Sequence, residues 1–138
     1  MKASPIVAAT GLLTMLFAST AALADPIGEW RVADGTATVR IRHCGSALCG
    51  YIATTVTPPG KDSKNPDPHK RNKSVLGLEV LINMKAAGEN RWTGATYNAE
   101  DGQMYSAAMS MQGAGALKIQ GCVPGGTMCG SETWSRVR

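Results

Sequence analysis

The sequence has few aromatic and few charged residues. Only 5% of its 138 residues are aromatic and 17% are charged, and its one phenylalanine is Phe17, close to the N-terminus. It contains no strand followed by a glycine-rich loop and a helix, which excludes a doubly wound dinucleotide-binding fold. The 16 glycines and 7 prolines are typical of a chain with many turns and short elements.

The sequence also lacks the residue spacings on which common catalytic sites depend. It has no G-x-S-x-G nucleophile motif and no H-E-x-x-H metal motif, and its only histidines are His43 and His69. The adjacent carboxylates Glu100 and Asp101 precede Gly102, as is typical of a turn. We therefore expect no enzyme activity, no cofactor and no metal site.

The first 24 residues have the pattern of a secretory signal peptide. Lys2 is followed by an apolar run from about Ile6 to Phe17, and Ala22-Leu23-Ala24 has the small–x–small pattern of a cleavage site. We predict removal of residues 1–24 and one exported domain over residues 25–138, located in the periplasm or secreted. The apolar run is shorter than the roughly 20 residues of a membrane span, and no later stretch approaches that length. We expect no transmembrane segment in the mature protein.

Four cysteines lie in the predicted mature chain. An even number of cysteines in an exported chain favours disulfides. Their spacings suit two local bonds, Cys44–Cys49 and Cys122–Cys129, each closing a hairpin. Crossed disulfides and a metal site are the alternatives.

The charge balance is mildly basic. The formal net charge of +4 does not by itself indicate a nucleic-acid partner, and export makes one unexpected. Six cationic or histidine side chains concentrate in the segment 61–73: Lys61, Lys64, His69, Lys70, Arg71 and Lys73. This segment is either a solvated loop or a contact for an anionic polymer or lipid surface of the cell envelope.

Apolar and polar residues alternate with a period of two along most of the mature chain, which predicts β-strands. We predict strands over Ile27–Val32, 37–42, Cys49–Val56, Leu76–Ile82, Arg91–Asn98, 105–111, 117–120 and about Ser131–Val137, with a long loop over 57–74. Most connections are short turns, such as Asp34-Gly35 and Asp101-Gly102.

Eight sequential strands with one apolar face each can bury those faces by closing into an up-and-down β-barrel. A two-sheet sandwich is the alternative. The predicted interior consists of Val39, Ile41, Ile52, Val56, Leu78, Val80, Ile82, Tyr105, Met109, Leu117 and Ile119. A barrel of this size is filled by its side chains or holds one small ligand, and we expect a small cavity.

The first and last strands carry tryptophans that predict how the barrel closes. Gly28-Glu29-Trp30 opens the first strand, and Trp134-Ser135-Arg136 lies near the end of the last. In a closed barrel these strands are neighbours, so a cation can lie over the Trp30 indole and seal that end. The pattern resembles the G-x-W motif and late arginine of lipocalins and their calycin relatives, which implies a structural role.

The mature chain also resembles a bacterial exported family, domain of unknown function 2147. The resembling segments are Gly28-Glu29-Trp30, Val39-Arg40-Ile41, Cys44, Leu48-Cys49-Gly50, Asn65-Pro66-Asp67, Leu76-Gly77-Leu78, Trp92-Thr93-Gly94, Tyr97, Glu100-Asp101-Gly102, Tyr105, Gly121 and Thr133-Trp134-Ser135-Arg136. The resemblance implies a small exported β-barrel of calycin type and brings no catalytic residues.

Four side chains are the candidates for contact with a ligand: Trp92, Tyr97, Tyr105 and Met109. Alternation places Trp92 and Tyr97 on opposite faces, so at most one of them joins Tyr105 inside the barrel. The methionines, Met109 among them, indicate soft filling of the core, with a copper site as the alternative.

These features predict a non-enzymatic binding protein for a small apolar or amphipathic molecule. The alternative is an envelope interaction or structural protein with a filled barrel that acts through its basic loop 61–73.

Overall fold

The structure, a computed structural model, describes residues 3–4, 8–16 and 25–138. The chain forms strands β1 (Gly28–Arg31), β2 (Ala37–Cys44), β3 (Ala47–Thr55), β4 (Glu79–Ala86), β5 (Arg91–Asn98), β6 (Gln103–Met111), β7 (Ala116–Cys122) and β8 (Cys129–Arg136), with one short 3-10 helix, Pro68–Lys70. Residues 1–2, 5–7 and 17–24 of the predicted signal peptide, with its cleavage site, lie outside the described residues. Within those residues, no helix is both long and apolar enough to cross a membrane.

The eight strands form a closed antiparallel barrel, as the sequence predicted. Each strand pairs with the next along the chain, and β1 pairs with β8 through Trp30 opposite Arg136 and Arg31 opposite Ser135. Short turns join all the strands except β3 and β4, which are connected by a loop over residues 56–78. Because the barrel is closed, the first strand pairs with the last, and each of these two strands has a hydrogen-bonded neighbour on both sides over part of its length.

The inner faces of the strands form a single apolar core, as period-two alternation requires. Its buried members include Val39, Ile41, Met109, Leu117 and Ile119, which the sequence placed inside. Burying this face contributes most of the stabilising free energy of the barrel, because apolar surface removed from water is the dominant favourable term in folding.

Strand β4 departs from the predicted alternation. Ile82 was expected inside, but the fully buried side chains of this strand are Leu81 and Met84. The cause is irregular pairing: Gly50 of β3 lies opposite Leu81 while its neighbour Tyr51 lies opposite Glu79, and a further register shift follows Ile82. Each bulge adds an unpaired residue and reverses the face of the residues that follow.

The end of β3 corrects a second prediction. Val56 was expected in the interior, but the strand ends at Thr55, and the Val56 side chain is 72% exposed in the loop that follows. A residue beyond the last ladder pair is no longer held on the inner face, so its apolar character alone does not place it in the core.

Candidate functional site

A cavity of about 810 Å³, broadly open to solvent, lies at one end of the barrel. This volume lies in the upper part of the range for small-molecule sites and exceeds the small cavity that we expected from the sequence. The cavity opens at the end of the barrel that carries the β1–β2, β5–β6 and β7–β8 turns and the β3–β4 loop. Its apolar wall includes Val32, Val39, Ile52, Val75, Leu78, Val80, Ile119 and Trp134, and its polar wall includes Asp34, Thr36, Thr55, Thr57, Thr96, Asn98, Glu100, Tyr105, Ser131 and Glu132.

Two facing glycines leave space in this cavity. Gly121 of β7 pairs with Gly130 of β8, and both glycines line the cavity. They occupy the next inward-facing positions along these strands after the pair formed by Ile119 and Glu132. A Cβ atom on Gly121 would make only ordinary contacts, 3.6 Å from Thr96, and one on Gly130 would meet nothing within 4 Å. Side chains at these two positions would project into the lumen, so the glycines keep it open.

The pairing between β8 and β1 is short. The two strands share only two residue pairs, the last being Arg31 with Ser135. Beyond this pair the Val32 amide donates to the Ala37 carbonyl oxygen at 3.1 Å, which continues the pairing of the chain with β2. Strand β8 continues along β7 as far as Cys129, and its residues 130–132 line the cavity.

The opposite end of the barrel is sealed by Trp30 and Arg136. The Trp30 side chain is completely buried, and its indole nitrogen donates to the Pro26 carbonyl oxygen at 2.8 Å. The Arg136 guanidinium lies over the indole ring and donates to the Ile27 carbonyl oxygen at 3.0 Å. Gly28 leaves room for this arrangement, because a Cβ atom there would lie 2.9 Å from the guanidinium. These residues hold the barrel closed at the end away from the cavity mouth.

A buried carboxylate, Glu29 of β1, links this strand to β2 and to the residues after β8 beside this seal. It is 5% exposed and forms ion pairs with Arg40 at 3.1 Å and Arg138 at 3.4 Å. Both arginines are largely solvent-exposed, so screening by water leaves each pair a small contribution to stability.

The structure separates the candidate aromatic residues. Trp92 pairs with Met109 and packs against the core, which places both on the inner face of the barrel. Tyr105 pairs with Thr96 on the same face, and both line the cavity. Tyr97 lies on the face of β5 opposite to that of Trp92, as the alternation in the sequence predicted. Of the four candidates, Tyr105 lines the cavity from the inner face, and Tyr97, which faces outward, borders it near the end of β5. Met109 belongs to the apolar core and Trp92 packs against that core.

Tyr97 joins the long loop to the barrel. Its hydroxyl donates to Asp62 Oδ1 at 2.7 Å, and Asn65 Nδ2 donates to the other carboxylate oxygen at 2.7 Å. Asp62 is only 1% exposed. Burial, together with the hydrogen bond to Asp62, raises the pKa of Tyr97 to about 12. The loop is therefore fixed to the outer wall, and its residues Pro58–Gly60 complete the rim of the cavity.

Two further hydrogen bonds involve carboxylates near the mouth. The Tyr105 hydroxyl donates to Asp101, which lowers the pKa of Asp101 and raises that of Tyr105. The Trp134 indole nitrogen donates to Glu132 Oε1 at 2.5 Å. Sequence reasoning missed Glu132, although it alternates with Trp134 and Arg136 and so could have been placed on the inner face.

Disulfides lie at both ends of the barrel. Cys44–Cys49 closes the β2–β3 turn at the sealed end, and Cys122–Cys129 closes the β7–β8 turn at the mouth. Both bonds are local, and both are typical of proteins from an oxidising compartment.

The described residues contain no cluster of three or more His, Cys, Asp or Glu side chains arranged to hold a metal ion. The methionines divide between core and surface: Met84, Met109 and Met111 are buried, whereas Met104 and Met128 are exposed. The buried sulfurs fill irregular space among apolar neighbours, which is the role the sequence favoured for Met109.

Comparison with known proteins agrees with this architecture. A model of the family described as an uncharacterized protein conserved in bacteria, DUF2147, matches residues 28–136. No curated protein matches the chain. Among solved structures, the chain is similar to one described as protein HP1028 from the human pathogen Helicobacter pylori, which belongs to the lipocalin family. The TM-score is 0.76 at 23% identity, over 83% of this chain and 84% of that one. At this identity the likeness shows a shared fold. Since the family match runs from the first strand to the last, the chain belongs to the DUF2147 family and has a lipocalin-like barrel.

Proposed function

We propose that this protein is a non-catalytic binding protein that holds one small apolar or amphipathic molecule in its barrel. The observation that carries the proposal is the open 810 Å³ cavity within an otherwise packed core. A barrel that served only as a scaffold could fill this space with side chains, yet the inward positions Gly121 and Gly130 are glycines.

The wall of the cavity is divided in a way that suits an amphipathic ligand. Val39, Val80 and Ile119 are deeply buried and supply an apolar surface, whereas Thr36 and Asn98 lie close to the turns at the mouth. An apolar body on the buried wall and a polar group at the mouth would each find a matching environment. The lipocalin-like fold is compatible with the same interpretation, since a barrel of this size that its side chains do not fill can hold one small ligand.

Native mass spectrometry of the protein purified from the cells that make it tests this function. We expect an additional mass that is lost after extraction with organic solvent, and we expect the emptied protein to bind the neutral fluorescent probe N-phenylnaphthylamine. A bare protein mass before extraction, together with no binding of the probe, would contradict the proposal.

The proposed location is outside the cytoplasm, in the periplasm or secreted. Two local disulfides and the signal-peptide pattern of residues 1–24 support it. N-terminal sequencing of the protein recovered from the periplasmic fraction should begin at Asp25. Recovery of the full chain from the cytoplasm would contradict the location.

A second candidate function is contact with an anionic envelope surface through the basic loop. The favouring observation is that the loop is fixed to the barrel by Asp62 and Tyr97 while Lys61, Lys64, His69, Lys70, Arg71 and Lys73 are all exposed. A loop whose backbone is already anchored loses less conformational freedom on binding than a mobile loop, which favours attraction to an anionic surface.

Co-sedimentation with vesicles containing anionic lipid tests this second function. Binding should fall when Lys70 and Lys73 are both replaced by Gln and should stay unchanged when Lys85 and Lys118, which lie outside the loop, are replaced instead. Equal binding by both double variants would contradict a specific role for the loop.

A further inference from the structure

The charges that line the cavity all have the same sign. Three carboxylates, Asp34, Glu100 and Glu132, belong to its wall, and no Lys, Arg or His from the described part of the chain does. This is opposite to the overall balance of the protein, which has 14 basic and 10 acidic residues. The cavity is therefore an acidic site within a basic protein.

Glu132 is the innermost of these carboxylates. It pairs with Ile119, a buried wall residue, and lies two positions along β8 from Trp134, which also faces inward. The Trp134 indole nitrogen donates to one carboxylate oxygen, Oε1, at 2.5 Å. The residue remains exposed, although it faces the lumen. A carboxylate carries lone pairs for about four hydrogen bonds, so this group can accept further donors from a ligand.

Asp34 lies in the β1–β2 turn and also lines the cavity. It and Glu132 are each three residues beyond Arg31 and Ser135, the last pair between the neighbouring strands β1 and β8. The Asp34 carboxylate accepts hydrogen bonds from the amide and hydroxyl of Thr36, at 3.0 and 2.6 Å. Both bonds lower the pKa of Asp34 and favour its charged form, and the bond from the hydroxyl has the larger effect.

We propose that the ligand of this cavity is a cationic amphiphile, with an alkylammonium head between Asp34 and Glu132 and an apolar chain on the wall that includes Ile119 and Trp134. This inference rests on the proposed binding function and specifies its ligand class. An ammonium head would be attracted by both carboxylates and by the ring of Trp134, which adjoins Glu132. An anionic head of the same size would meet only like charge in the described wall.

The test compares three probes with the same dodecyl chain: dodecyltrimethylammonium, dodecyl maltoside and dodecyl sulfate. Each is titrated against the protein at low salt and below its micelle concentration, and binding is followed by calorimetry. We expect the cationic probe to bind about tenfold more tightly than the neutral one and the anionic probe to bind most weakly. Added salt should reduce the difference, because the mouth is open to solvent.

Two isosteric variants assign the preference to the named carboxylates. Glu132→Gln keeps an acceptor for Trp134, and Asp34→Asn keeps one for Thr36. Each substitution should weaken binding of the cationic probe about fourfold while leaving binding of the neutral probe unchanged. Glu89→Gln is the matched control, since Glu89 is an exposed residue of the β4–β5 turn at the sealed end.

The outcomes distinguish this inference from the function on which it rests. Equal binding of the three probes, tighter binding of dodecyl sulfate, or variants that behave like Glu89→Gln would overturn the cationic preference and leave the binding function intact. Failure of all three probes, including the neutral one, would overturn both.

Discussion

The guanidinium of Arg136 lies 4.3 Å from the centre of the Trp30 ring, at the point where the last strand pairs with the first. The same group donates to the carbonyl oxygens of Asp25, Ile27 and Ala114. It therefore joins the segment before β1 and the β6–β7 turn to β8. One side chain thus connects three parts of the sealed end that are distant in sequence.

Replacing Arg136 by Ala should reduce the free energy of unfolding by about 2–4 kcal/mol, because a desolvated cation–π contact and several charged hydrogen bonds are lost. Arg136→Lys keeps the charge but not the planar fork of donors, so its effect should be intermediate. Urea denaturation measures both changes.

Arg42 provides the matched control for this prediction. Its guanidinium also lies 4.3 Å from an aromatic ring, that of Tyr51, but Arg42 is exposed to solvent. Arg42→Ala should therefore cost only about 0.5–1 kcal/mol. Equal losses for Arg42→Ala and Arg136→Ala would contradict the role given to Arg136 in closing the barrel.

The bond between Tyr97 and Asp62 predicts a stability change at high pH. The Tyr97 pKa is raised from 10.0 to about 12 in the folded state, so the folded protein holds this proton more tightly than the unfolded chain does. Its contribution is complete below pH 10 and is lost as the pH rises through about 12. Tyr97→Phe should cost about 1–3 kcal/mol at neutral pH, since Asp62 stays buried with one donor fewer.

Unfolding measured from pH 8 to pH 12 tests this effect. The difference between the wild type and Tyr97→Phe should shrink as the pH rises above 10. Tyr51→Phe is the control, because its ring can still receive Arg42. A difference between wild type and Tyr97→Phe that stays constant over this pH range would show that Tyr97 does not titrate as the structure indicates.

The two disulfides should differ in their access to reductant. Cys49 is 5% exposed, whereas Cys129 is exposed to solvent in the β7–β8 hairpin. Dithiothreitol under native conditions should therefore open Cys122–Cys129 first, and alkylation followed by peptide mass mapping gives the order. Loss of either bond should cost about 2–3 kcal/mol, as expected for short loops. Earlier labelling of Cys44 and Cys49 would contradict the protection expected from the burial of Cys49.

Much of the fold could be predicted from the sequence because each strand has one apolar face. Strand β5 has the predicted bounds, Arg91–Asn98, since no bulge interrupts its pairing with β6. Strand β4 could not be predicted in the same way. Its adjacent buried residues Val80 and Leu81 violate the period of two, and the bulge that allows this arises from pairing with β3 rather than from a local pattern.

The candidate site was predicted only in part. Tyr105 could be placed at the lumen by alternation alone, and the same rule extended backward from Arg136 would have found Glu132. Asp62 could not be found, because its burial depends on a long loop folding onto the outer wall at Tyr97. A carboxylate in a proline-rich segment gives no sequence signal of this kind.

The affinity of N-phenylnaphthylamine for a variant with a filled lumen tests the central claim most directly. Gly121→Leu adds a side chain that points into the cavity, whereas Gln120→Leu adds one on the opposite face of the same strand. We predict that Gly121→Leu weakens binding about tenfold or more while Gln120→Leu leaves it unchanged, with both variants folded. Unchanged affinity in Gly121→Leu would contradict the claim that this lumen is the binding site.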